Sequence, residues 1–559
     1  MIRDRDLQAR QEVRTLLRQA QEAQRAFKEF SQDQVDKIFA CMATAGYHNS
    51  HRLAKMAVEE TGYGKVDDKS LKNQFATRSV YEAWADLKTV GIINRDEQNK
   101  VIEIAEPMGV VAAIIPTTNP TSTALYKALI SVKARNAVVF SPHPRAAKCT
   151  YDSVRIMARA AEEAGAPAGL ISCMTQMDMA GTEELMHARE TAVILATGGP
   201  GLVRAAYSAG KPAFGVGPGN VPIYIDRSAQ LEKAVRDVIR GKTFDWGTLC
   251  SSEQALVVDA PVYEQTRQLL VENGAYFLDE KQAAVVGRIL VFENGMINPE
   301  LVGHSPQAIA AVAGISIPDS VKVLVAEQSG IGKEFPLSRE KLSPVLAMYR
   351  VQDWKDGCEH CIRLLNLGGR GHTLGIHATD EQVIMQFALH KPAFRIVVNT
   401  PSSLGAVGAT TGLDPALTLG CGTYGGNISA DNISPKNLLN IKRLAYETST
   451  GPEMVYMYDL GKWSASLRWE EISHLRERRA GYQFPYQKAL EGDVSRKGSY
   501  FEKKQDTPSA RPAPAPAQQP VSAPAPQQRK TEMKYGKDGL SGEQVDAIVE
   551  QFLRERGLQ

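Results

Sequence analysis

The residue best suited to chemistry is Cys250, which lies in a short connection between a helical pattern and an apolar strand predicted over residues 255–259. A rigid scaffold can aim a side chain that lies in such a loop, and a thiolate is stabilised near backbone N–H groups rather than inside an apolar core. A free cysteine is more often a small buried hydrophobe. The rest of the sequence therefore decides between a nucleophile and a packing residue.

Three further stretches follow or adjoin predicted strands of the first half of the chain. Residues 116–120 are rich in turn formers, and Asn119 among them can direct an amide N–H into a crevice. Residues 197–201 are glycine-rich and lie between a strand and a helix, where backbone N–H groups can approach a phosphate. A second glycine-rich stretch surrounds Gly217. In a parallel sheet ligands bind at the carboxyl ends of the strands, so these stretches are predicted to border one site.

The second half of the chain adds two candidates. Glu340 lies four residues before Pro344, at the start of a predicted strand. His372 is predicted in a flexible turn directly before a strand; a lone histidine is more often structural, but glycines at positions 368, 369 and 371 leave room for a ligand to approach. Cys358 and Cys361 have the spacing of a redox or metal pair, but no second pair follows, so we interpret them as structural. The glycine-rich residues 420–427 could close over the site.

Helices and strands must position these candidate residues. The order of apolar and helical patterns along the chain predicts an α/β fold. Buried strands are predicted over residues 110–115, 137–140, 192–196 and 221–225, then over 322–326, 345–349, 374–377 and 396–399. Helical patterns separate them at 121–133, 146–164, 202–209, 356–365 and 380–389. Apolar strands alternating with helices indicate parallel sheets covered on both faces. Residues 101–106 alternate like an exposed edge strand.

The composition excludes several classes of function. The chain has 559 residues and a net charge of +2, so no global field recruits nucleic acid or an anionic membrane. Seven cysteines are an odd and sparse set, typical of a reducing compartment. No signal peptide and no membrane-spanning run is recognisable. We expect a cytoplasmic protein that binds neither nucleic acid nor membrane, and no metal site.

The candidates occur in an order that resembles one family, the CoA-acylating aldehyde dehydrogenases. The likeness runs from about residue 15 to residue 450 and is strongest to the aldehyde dehydrogenase half of bifunctional aldehyde–alcohol dehydrogenases and to the enzymes of bacterial microcompartments. The motifs that carry it are Pro116-Thr-Thr-Asn119-Pro, Ser141-Pro-His-Pro-Arg-Ala146, Thr197-Gly-Gly-Pro-Gly201, Phe244-Asp with Cys250-Ser-Ser-Glu-Gln254, Glu340-Lys-Leu-Ser-Pro344 and Gly420-Cys-Gly with Gly425-Gly-Asn427.

The resemblance implies a mechanism. The Cys250 thiolate attacks a short-chain aldehyde, Asn119 and the backbone N–H of Cys250 hold the oxyanion, and hydride transfer leaves a thioester. Hydrolytic relatives cleave this thioester with a glutamate in a Glu-Leu-Gly-Gly stretch, whereas the corresponding residues 214–219 carry no carboxylate. Coenzyme A is therefore the expected acceptor, with His372 near its thiol as acid, base or orienter. A hydrolytic dehydrogenase and a catalytically inactive cargo or scaffold protein are the alternatives, and the preferred aldehyde stays open.

The resemblance also implies a cofactor and a division into domains. NAD is favoured over NADP, although Arg145 could admit a 2′-phosphate and no acidic group stands ready for a 2′-hydroxyl. The expected domains are a Rossmann-like cofactor domain (1–94 and 107–244), a catalytic α/β domain (245–432), an oligomerisation arm (95–106 and 433–460) that makes at least a dimer, and a C-terminal extension (461–506). The residues expected to contact the cofactor are Thr117, Ser141, His143, Thr197, Gly198, Gly199, Gly217 and Glu340.

The end of the chain differs in composition from the rest. Residues 507–530 are rich in proline and alanine and are predicted to form a disordered linker. Residues 535–559 then carry one apolar stripe at helical spacing, formed by Val545, Ile548, Val549, Phe552 and Leu553. A short amphipathic helix on a long spacer is predicted to be an encapsulation peptide that docks on a microcompartment shell or on other cargo, which places the protein in the lumen; the alternative is a helix that folds back on its own domain.

Overall fold

The computed structural model describes residues 4–448. Within this range the chain alternates helices and strands as the sequence predicts. In chain order the helices are α1 (Arg5–Phe27), α2 (Gln32–His48), α3 (Ser50–Thr61), α4 (Val66–Gln74), α5 (Val80–Trp84), α6 (Pro120–Lys133), α7 (Ala147–Glu163), α8 (Met179–His187), α9 (Pro200–Ser208), α10 (Leu231–Thr243), α11 (Tyr263–Glu272), α12 (Glu280–Leu290), α13 (Pro306–Val312), α14 (Trp354–Leu367), α15 (Glu381–His390) and α16 (Ser402–Gly405). None of them is both long and apolar enough to cross a bilayer.

The strands form three sheets, two parallel and one antiparallel. Each strand predicted from an apolar run is present, with bounds that differ by a few residues. In chain order the strands are β1 (Gly91–Asp96), β2 (Val101–Pro107), β3 (Val110–Ile114), β4 (Ala137–Ser141), β5 (Ile171–Cys173), β6 (Thr191–Thr197), β7 (Ala213–Val216), β8 (Val221–Ile225), β9 (Glu253–Asp259), β10 (Ala275–Leu278), β11 (Val323–Glu327), β12 (Val345–Val351), β13 (Gly371–His377), β14 (Ala393–Val398) and β15 (Leu439–Ala445).

The first parallel sheet has the order β5-β4-β3-β6-β7. Its strands β3 and β4 are buried along their whole length, as expected for a sheet with helices on both faces. Helices α1, α2, α6 and α7 supply apolar side chains to the same core, including Leu17, Phe39, Leu129 and Met157. The α/β prediction is confirmed for this part of the chain.

The second parallel sheet has the order β10-β11-β12-β9-β8-β13-β14. Strand β8 is an interior strand of this sheet, between β9 and β13, and the apolar face of α10 packs on it. The sequence analysis assigned β8 and α10 to the first domain, with a boundary at residue 244. The change of sheet lies earlier, between Val216 and Val221, because the glycine-rich connection after β7 carries the chain from one sheet to the other.

The antiparallel sheet has the order β1-β2-β15. Strand β2 was predicted to be an exposed edge strand, and this is wrong: β1 pairs with one side of it and β15 with the other. Along β2, Ile102 and Ala105 are buried and the other residues are half-exposed. The remainder of the predicted arm (449–460), the extension (461–506), the linker (507–530) and the terminal helix (535–559) lie outside the described residues.

Candidate active site

Cys250 lies between a tight turn, Phe244–Gly247, and the start of β9, as the sequence predicts. Asp245 and Trp246 in this turn have φ angles of 49° and 51°, a left-handed conformation that costs non-glycine residues free energy. Gly219 packs against the Cys250 carbonyl so closely that a Cβ on Gly219 would lie 1.7 Å from that oxygen. The segment between the two parallel sheets therefore borders the cysteine directly.

Asn119 lies at the start of α6, which follows the carboxyl end of β3. Its amide nitrogen Nδ2 donates to the Thr248 carbonyl oxygen at 3.3 Å and to the Thr118 hydroxyl at 3.1 Å. Thr248 is two residues before Cys250, so the amide and the thiol belong to one site. The structure thus brings Asn119 next to the cysteine loop, and its role at the substrate oxygen stays a prediction.

A buried polar cluster supports this corner of the site. The carboxylate of Asp245 accepts from Lys69 at 3.0 Å, from Lys72, and from the Thr248 hydroxyl at 2.5 Å. It also accepts from the backbone N–H of Lys65 at 2.7 Å. The sequence analysis missed this cluster, because charges on a helix about 175 residues away in the chain usually lie on a solvated face.

The charges in the cluster stabilise one another. Burial would raise the pKa of Asp245, but Lys69 and Lys72 outweigh that effect and hold the pKa below its ordinary value. Burial lowers the pKa of Lys72 to about 8, and the negative charge of Asp245 opposes a further fall. At neutral pH the cluster therefore holds a carboxylate and an ammonium group rather than their neutral forms.

Glu340 is buried and joins the site through Gly219, whose backbone N–H donates to Oε1 at 2.8 Å. Burial raises the pKa of Glu340 to about 7, while the bond from Gly219 and the charges of Lys242 and Lys341 oppose the rise. Glu253, at the start of β9, is a second buried acid whose pKa burial raises; its Oε1 accepts from the Ser402 backbone at 2.7 Å. Glu253 is thus bonded to the backbone at the start of α16, whereas Glu340 is bonded to the glycine segment beside Cys250.

Cys250 is a half-buried residue, and the pKa of its thiol is raised to about 12. Burial is the main cause, followed by the charges of Glu340 and Cys421, and the guanidinium of Arg395 acts in the opposite direction. The resting group is therefore a thiol, and a proton has to leave it before it can act as a nucleophile.

We expect Glu340→Gln to make Cys250 easier to ionise, because the substitution removes the charge that opposes the thiolate. A fall of half to one pKa unit corresponds to a roughly 3- to 10-fold faster alkylation of Cys250 by iodoacetamide at pH 8–9. Peptide mass spectrometry gives this rate, and the exposed Cys41 in the same sample provides an internal reference. Glu334→Gln, an exposed matched control, should leave the rate unchanged; equal or slower alkylation of Glu340→Gln would contradict the assignment.

His372 does not lie in a flexible turn as predicted. It is the second residue of β13, fully buried, because pairing with β14 extends the strand back to Gly371. Its Nδ1 is 2.9 Å from the Thr373 hydroxyl, and its Nε2 has no hydrogen-bond partner among the described residues. Burial and then the charge of Arg395 lower the pKa of His372 to about 3, so the imidazole is neutral at physiological pH.

Arg395, on β14, is a second residue that the sequence analysis missed. Its buried guanidinium donates to the His372 carbonyl at 2.9 Å, to Asn432 at 2.7 Å and to the carbonyl of Gly420. Gly420 begins the glycine-rich loop 420–427. Asn427, at the other end of this loop, donates at 2.7 Å to the carbonyl of Gly215, which lies near the end of β7. The glycine loop 420–427 is thus held between the two parallel sheets, consistent with its predicted role of closing over the site.

Seven of the eight predicted cofactor residues lie at the carboxyl edge of the first sheet, whereas Glu340 precedes β12 of the second sheet. Ser141 ends β4, Thr117 follows β3, Thr197 ends β6 and Gly217 follows β7, and these four strands are neighbours. The Ser141 hydroxyl is 2.8 Å from that of Thr182. This edge is where a doubly wound sheet binds ligands.

The start of α9 at this edge suits a phosphate. Gly199 is its N-cap, and a Cβ at Gly199 or Gly201 would meet no atom within 4 Å. Gly198 is tighter, with a Cβ 2.6 Å from the flexible end of Leu202. The Thr197 hydroxyl is buried and lacks a hydrogen-bond partner in residues 4–448. A helix N-terminus with open space and a free hydroxyl fits a dinucleotide pyrophosphate.

His143 and Arg145 lie just beyond β4. The Nδ1 of His143 accepts from the Arg145 backbone at 3.1 Å, and burial, together with the charge of Arg145, lowers the pKa of this histidine. The Arg145 guanidinium forms an ion pair with Glu300 and lies 3.4 Å from the Tyr63 hydroxyl. The sequence analysis found no acidic group here; Glu300 was missed because it is about 155 residues away in the chain.

The pair Cys358 and Cys361 lies on α14, as predicted. Cys361 packs in the apolar core beneath the second sheet, and Cys358 lies against Lys391. Within the described part of the chain, no group of three or more metal-ligating side chains is positioned to hold a metal ion.

Comparison with known proteins agrees with this geometry. The model of the aldehyde dehydrogenase family matches residues 2–277. The bifunctional aldehyde-alcohol dehydrogenase AdhE of Escherichia coli K12 is 44% identical over 439 residues, which are 78% of this chain and 49% of AdhE. The chain thus spans about half the length of the curated relatives it matches first.

Two solved structures extend the comparison. The acetylating aldehyde dehydrogenase from Geobacillus thermoglucosidasius is 56% identical, with a TM-score of 0.80 over 81% of this chain and 100% of that one. A propionaldehyde dehydrogenase from the fucose utilisation bacterial microcompartment of Clostridium phytofermentans is 28% identical, with a TM-score of 0.71 over 78% and 98% of the two chains. Both sequence and fold therefore place the described residues with these enzymes.

Proposed function

The chain belongs to the aldehyde dehydrogenase family, in its acylating branch, and we propose that it converts a short-chain aldehyde, coenzyme A and NAD⁺ into acyl-CoA and NADH. The observation that carries the proposal is the composition of the segment beside Cys250. Residues 214–219 bring Gly219 against the cysteine carbonyl and contain no carboxylate. Without a base in this segment, water is a poor acceptor and a second thiol is the natural one.

The first half of the reaction forms a covalent intermediate. The Cys250 thiol releases its proton to water, the thiolate attacks the aldehyde carbon, and negative charge develops on the aldehyde oxygen. The amide of Asn119 and the backbone N–H of Cys250 donate to that oxygen. As the carbonyl re-forms, the carbon gives up a hydride, and a thioester on Cys250 remains. NAD, when bound, supplies the acceptor for that hydride.

The second half transfers the acyl group. The thiol of coenzyme A releases its proton to water as its sulfur attacks the thioester carbon, the same donors hold the oxyanion, and Cys250 departs as a thiolate. His372 is the residue we propose for orienting the incoming thiol. Nδ1 is engaged by the Thr373 hydroxyl and Nε2 is free among the described residues, so a neutral imidazole with its proton on Nδ1 can accept a hydrogen bond from S–H at Nε2.

The cofactor site is proposed along the carboxyl edge of the first sheet. Thr197, Gly198, Gly199 and the start of α9 would hold the pyrophosphate, and Glu340 would contact the nicotinamide ribose. The Glu300–Arg145 ion pair supports NAD rather than NADP, because the carboxylate already neutralises the cation that a 2′-phosphate would need.

The proposal is tested by the requirement for coenzyme A. We expect NADH formation from acetaldehyde, propionaldehyde and longer aldehydes to stop after about one turnover per subunit when coenzyme A is omitted, and to continue when it is present. The series of aldehydes identifies the preferred chain length. Steady NADH formation without coenzyme A, with release of free acid, would favour a hydrolytic enzyme in which Glu340 activates water. Absence of NADH under every condition would favour the inactive cargo protein.

Two proposals concern assembly. The antiparallel sheet leaves β1 and β15 with free edges among the described strands, which supports pairing between copies of this chain. Light scattering at micromolar concentration should give at least the mass of a dimer, and a monomer mass would contradict this.

The second assembly proposal is packaging in a bacterial microcompartment through residues 535–559. It rests on the apolar stripe in the sequence and on the likeness to an enzyme from such a compartment. A fluorescent protein fused to these residues should co-localise with shells, and Phe552→Glu should abolish this, whereas Glu550→Gln on the polar face should not. A diffuse wild-type fusion in shell-producing cells would refute packaging.

A further inference from the structure

Two of the hydrogen-bond partners of the Asn119 side-chain amide can each act in only one direction. The ammonium of Lys72 contacts Oδ1, and the Thr248 carbonyl contacts Nδ2 at 3.3 Å. An ammonium group can only donate and a carbonyl can only accept, so the orientation of the amide follows from chemistry. The N–H side of Asn119 is thereby turned toward the Cys250 loop.

The contact with Lys72 replaces the hydrogen bond that an N-cap asparagine commonly makes. As the N-cap residue of α6 it would ordinarily use Oδ1 to accept from a backbone N–H of the first helical turn. The structure records no such side-chain cap at α6, and Oδ1 is instead engaged by Lys72. The lysine contact is thus made in place of a stabilising interaction within the helix.

Lys72 is itself fixed in position. Its side chain is only 4% exposed, and its ammonium contacts the Asp245 carboxylate as well as Asn119. The Thr248 hydroxyl lies 3.5 Å away and donates to the same carboxylate at 2.5 Å. Lys69 and Asp68 are the other charged groups nearby. A cation held by a buried carboxylate cannot swing away from the amide.

A cation on the oxygen of an amide strengthens the hydrogen bonds that the nitrogen of that amide donates, because the two dipoles polarise in the same sense. The gain is greater when the acceptor is an oxyanion than when it is a neutral carbonyl. A contact of this kind therefore favours the transition state more than the bound aldehyde, which is the requirement for catalysis.

We propose that Lys72 is a positioning residue of the oxyanion site, which holds and polarises the amide of Asn119. The inference rests on the proposed function, since that function assigns Asn119 to the substrate oxygen. Lys72 contacts neither the substrate nor the cysteine in this scheme and acts only through Asn119.

A double-mutant cycle tests whether Lys72 acts through Asn119. The enzymes are the full-length wild type, Lys72→Met, Asn119→Ala and the double variant, with kcat and KM measured for propionaldehyde at saturating NAD⁺ and coenzyme A. We expect kcat/KM to fall about 10² to 10³-fold for Asn119→Ala, as for loss of one oxyanion donor. Lys72→Met should lose roughly 10- to 100-fold, mainly in kcat, and the double variant should match Asn119→Ala within about twofold.

Lys69→Met is the matched control. Lys69 donates to the same Asp245 oxygen at 3.0 Å and to the Thr118 carbonyl at 2.9 Å, but not to Asn119. The Lys69→Met variant should lower the midpoint of thermal unfolding about as much as Lys72→Met does, while it keeps most of the wild-type kcat. If Lys72→Met does not fold, Lys72→Gln, which keeps a neutral donor but removes the cation, takes its place in the cycle. Lys72→Arg, which keeps the cation, should then retain most of kcat.

The role of Lys72 and the role of Asn119 can fail separately. Losses that multiply in the double variant, or an unchanged kcat in a folded Lys72→Met enzyme, would overturn the role of Lys72 and leave the proposed function intact. An Asn119→Ala enzyme with wild-type kcat/KM would overturn the oxyanion role of Asn119, and the inference about Lys72 with it.

Discussion

Cys250→Ala should abolish NADH formation and acyl-CoA synthesis, with kcat/KM reduced at least about 10³-fold, because the thiol carries the acyl group in both halves of the reaction. Alanine removes the sulfur without adding bulk beside Gly219, whose backbone packs against the Cys250 carbonyl. Folding should therefore be preserved. Coupled assays for NADH and for acyl-CoA, with circular dichroism on the same sample, give the result.

The matched control is Cys41→Ala, which removes an exposed thiol on α2 and should leave both activities unchanged. The buried Cys421 lies close enough to Cys250 for its charge to raise the pKa of that thiol. A Cys250→Ala enzyme that still forms NADH with coenzyme A present would show that Cys421, or no cysteine, carries the acyl group.

Asp245→Ala should have the largest effect on stability among single substitutions near the site. It leaves the ammonium groups of Lys69 and Lys72 buried without their carboxylate, and removal of one partner from a buried ion pair costs about 3–5 kcal/mol. It also removes the acceptor for the Thr248 hydroxyl. Chemical denaturation of the folded enzyme measures the loss in free energy of unfolding.

Two control variants test whether the loss of stability comes from unpaired buried charge. Glu82→Ala breaks an exposed helical ion pair with Arg78 and should change the unfolding midpoint little. Replacing both lysines by methionine in the Asp245→Ala background should restore much of the stability, because no unpaired charge then remains. An Asp245→Ala enzyme as stable as the wild type would show that water reaches the cluster and screens it.

Much of the fold could be predicted because the local signals agree with the tertiary structure. Strand β3 is a continuous apolar run, and α6 begins with a proline at its first position. Cys250 stood out because it lies in a connection rather than on an apolar face. The carboxyl-edge loops followed from the parallel sheet, since that topology fixes where strand ends meet.

The errors arose where partners distant in sequence decide the structure. The three glycines before His372 indicate a turn, but pairing of β13 with β14 extends the strand through the histidine and buries it. The alternation of β2 resembles an edge strand, although β15 arrives from more than 300 residues away to pair with it. No local pattern indicates that partner.

The burial of the charged residues Lys72 and Asp245 could not be predicted from the sequence either. Lys72 lies on a helix with a polar pattern, which ordinarily indicates a solvated face. Its burial depends on the turn that brings Asp245 beneath α4, and that turn contains two non-glycine residues with positive φ. A rare backbone conformation stabilised by tertiary contacts gives no periodic signal.

The central claim is that Cys250 holds an acyl thioester that coenzyme A, and not water, removes. Intact-protein and peptide mass spectrometry test it directly after the enzyme is mixed with propionaldehyde and NAD⁺ alone. We predict a propionyl adduct on the Cys250 peptide that persists in buffer and disappears within seconds of adding coenzyme A, with propionyl-CoA formed in equal amount. An adduct that decays equally fast without coenzyme A, or one that never forms on Cys250 while NADH is produced, would contradict the account.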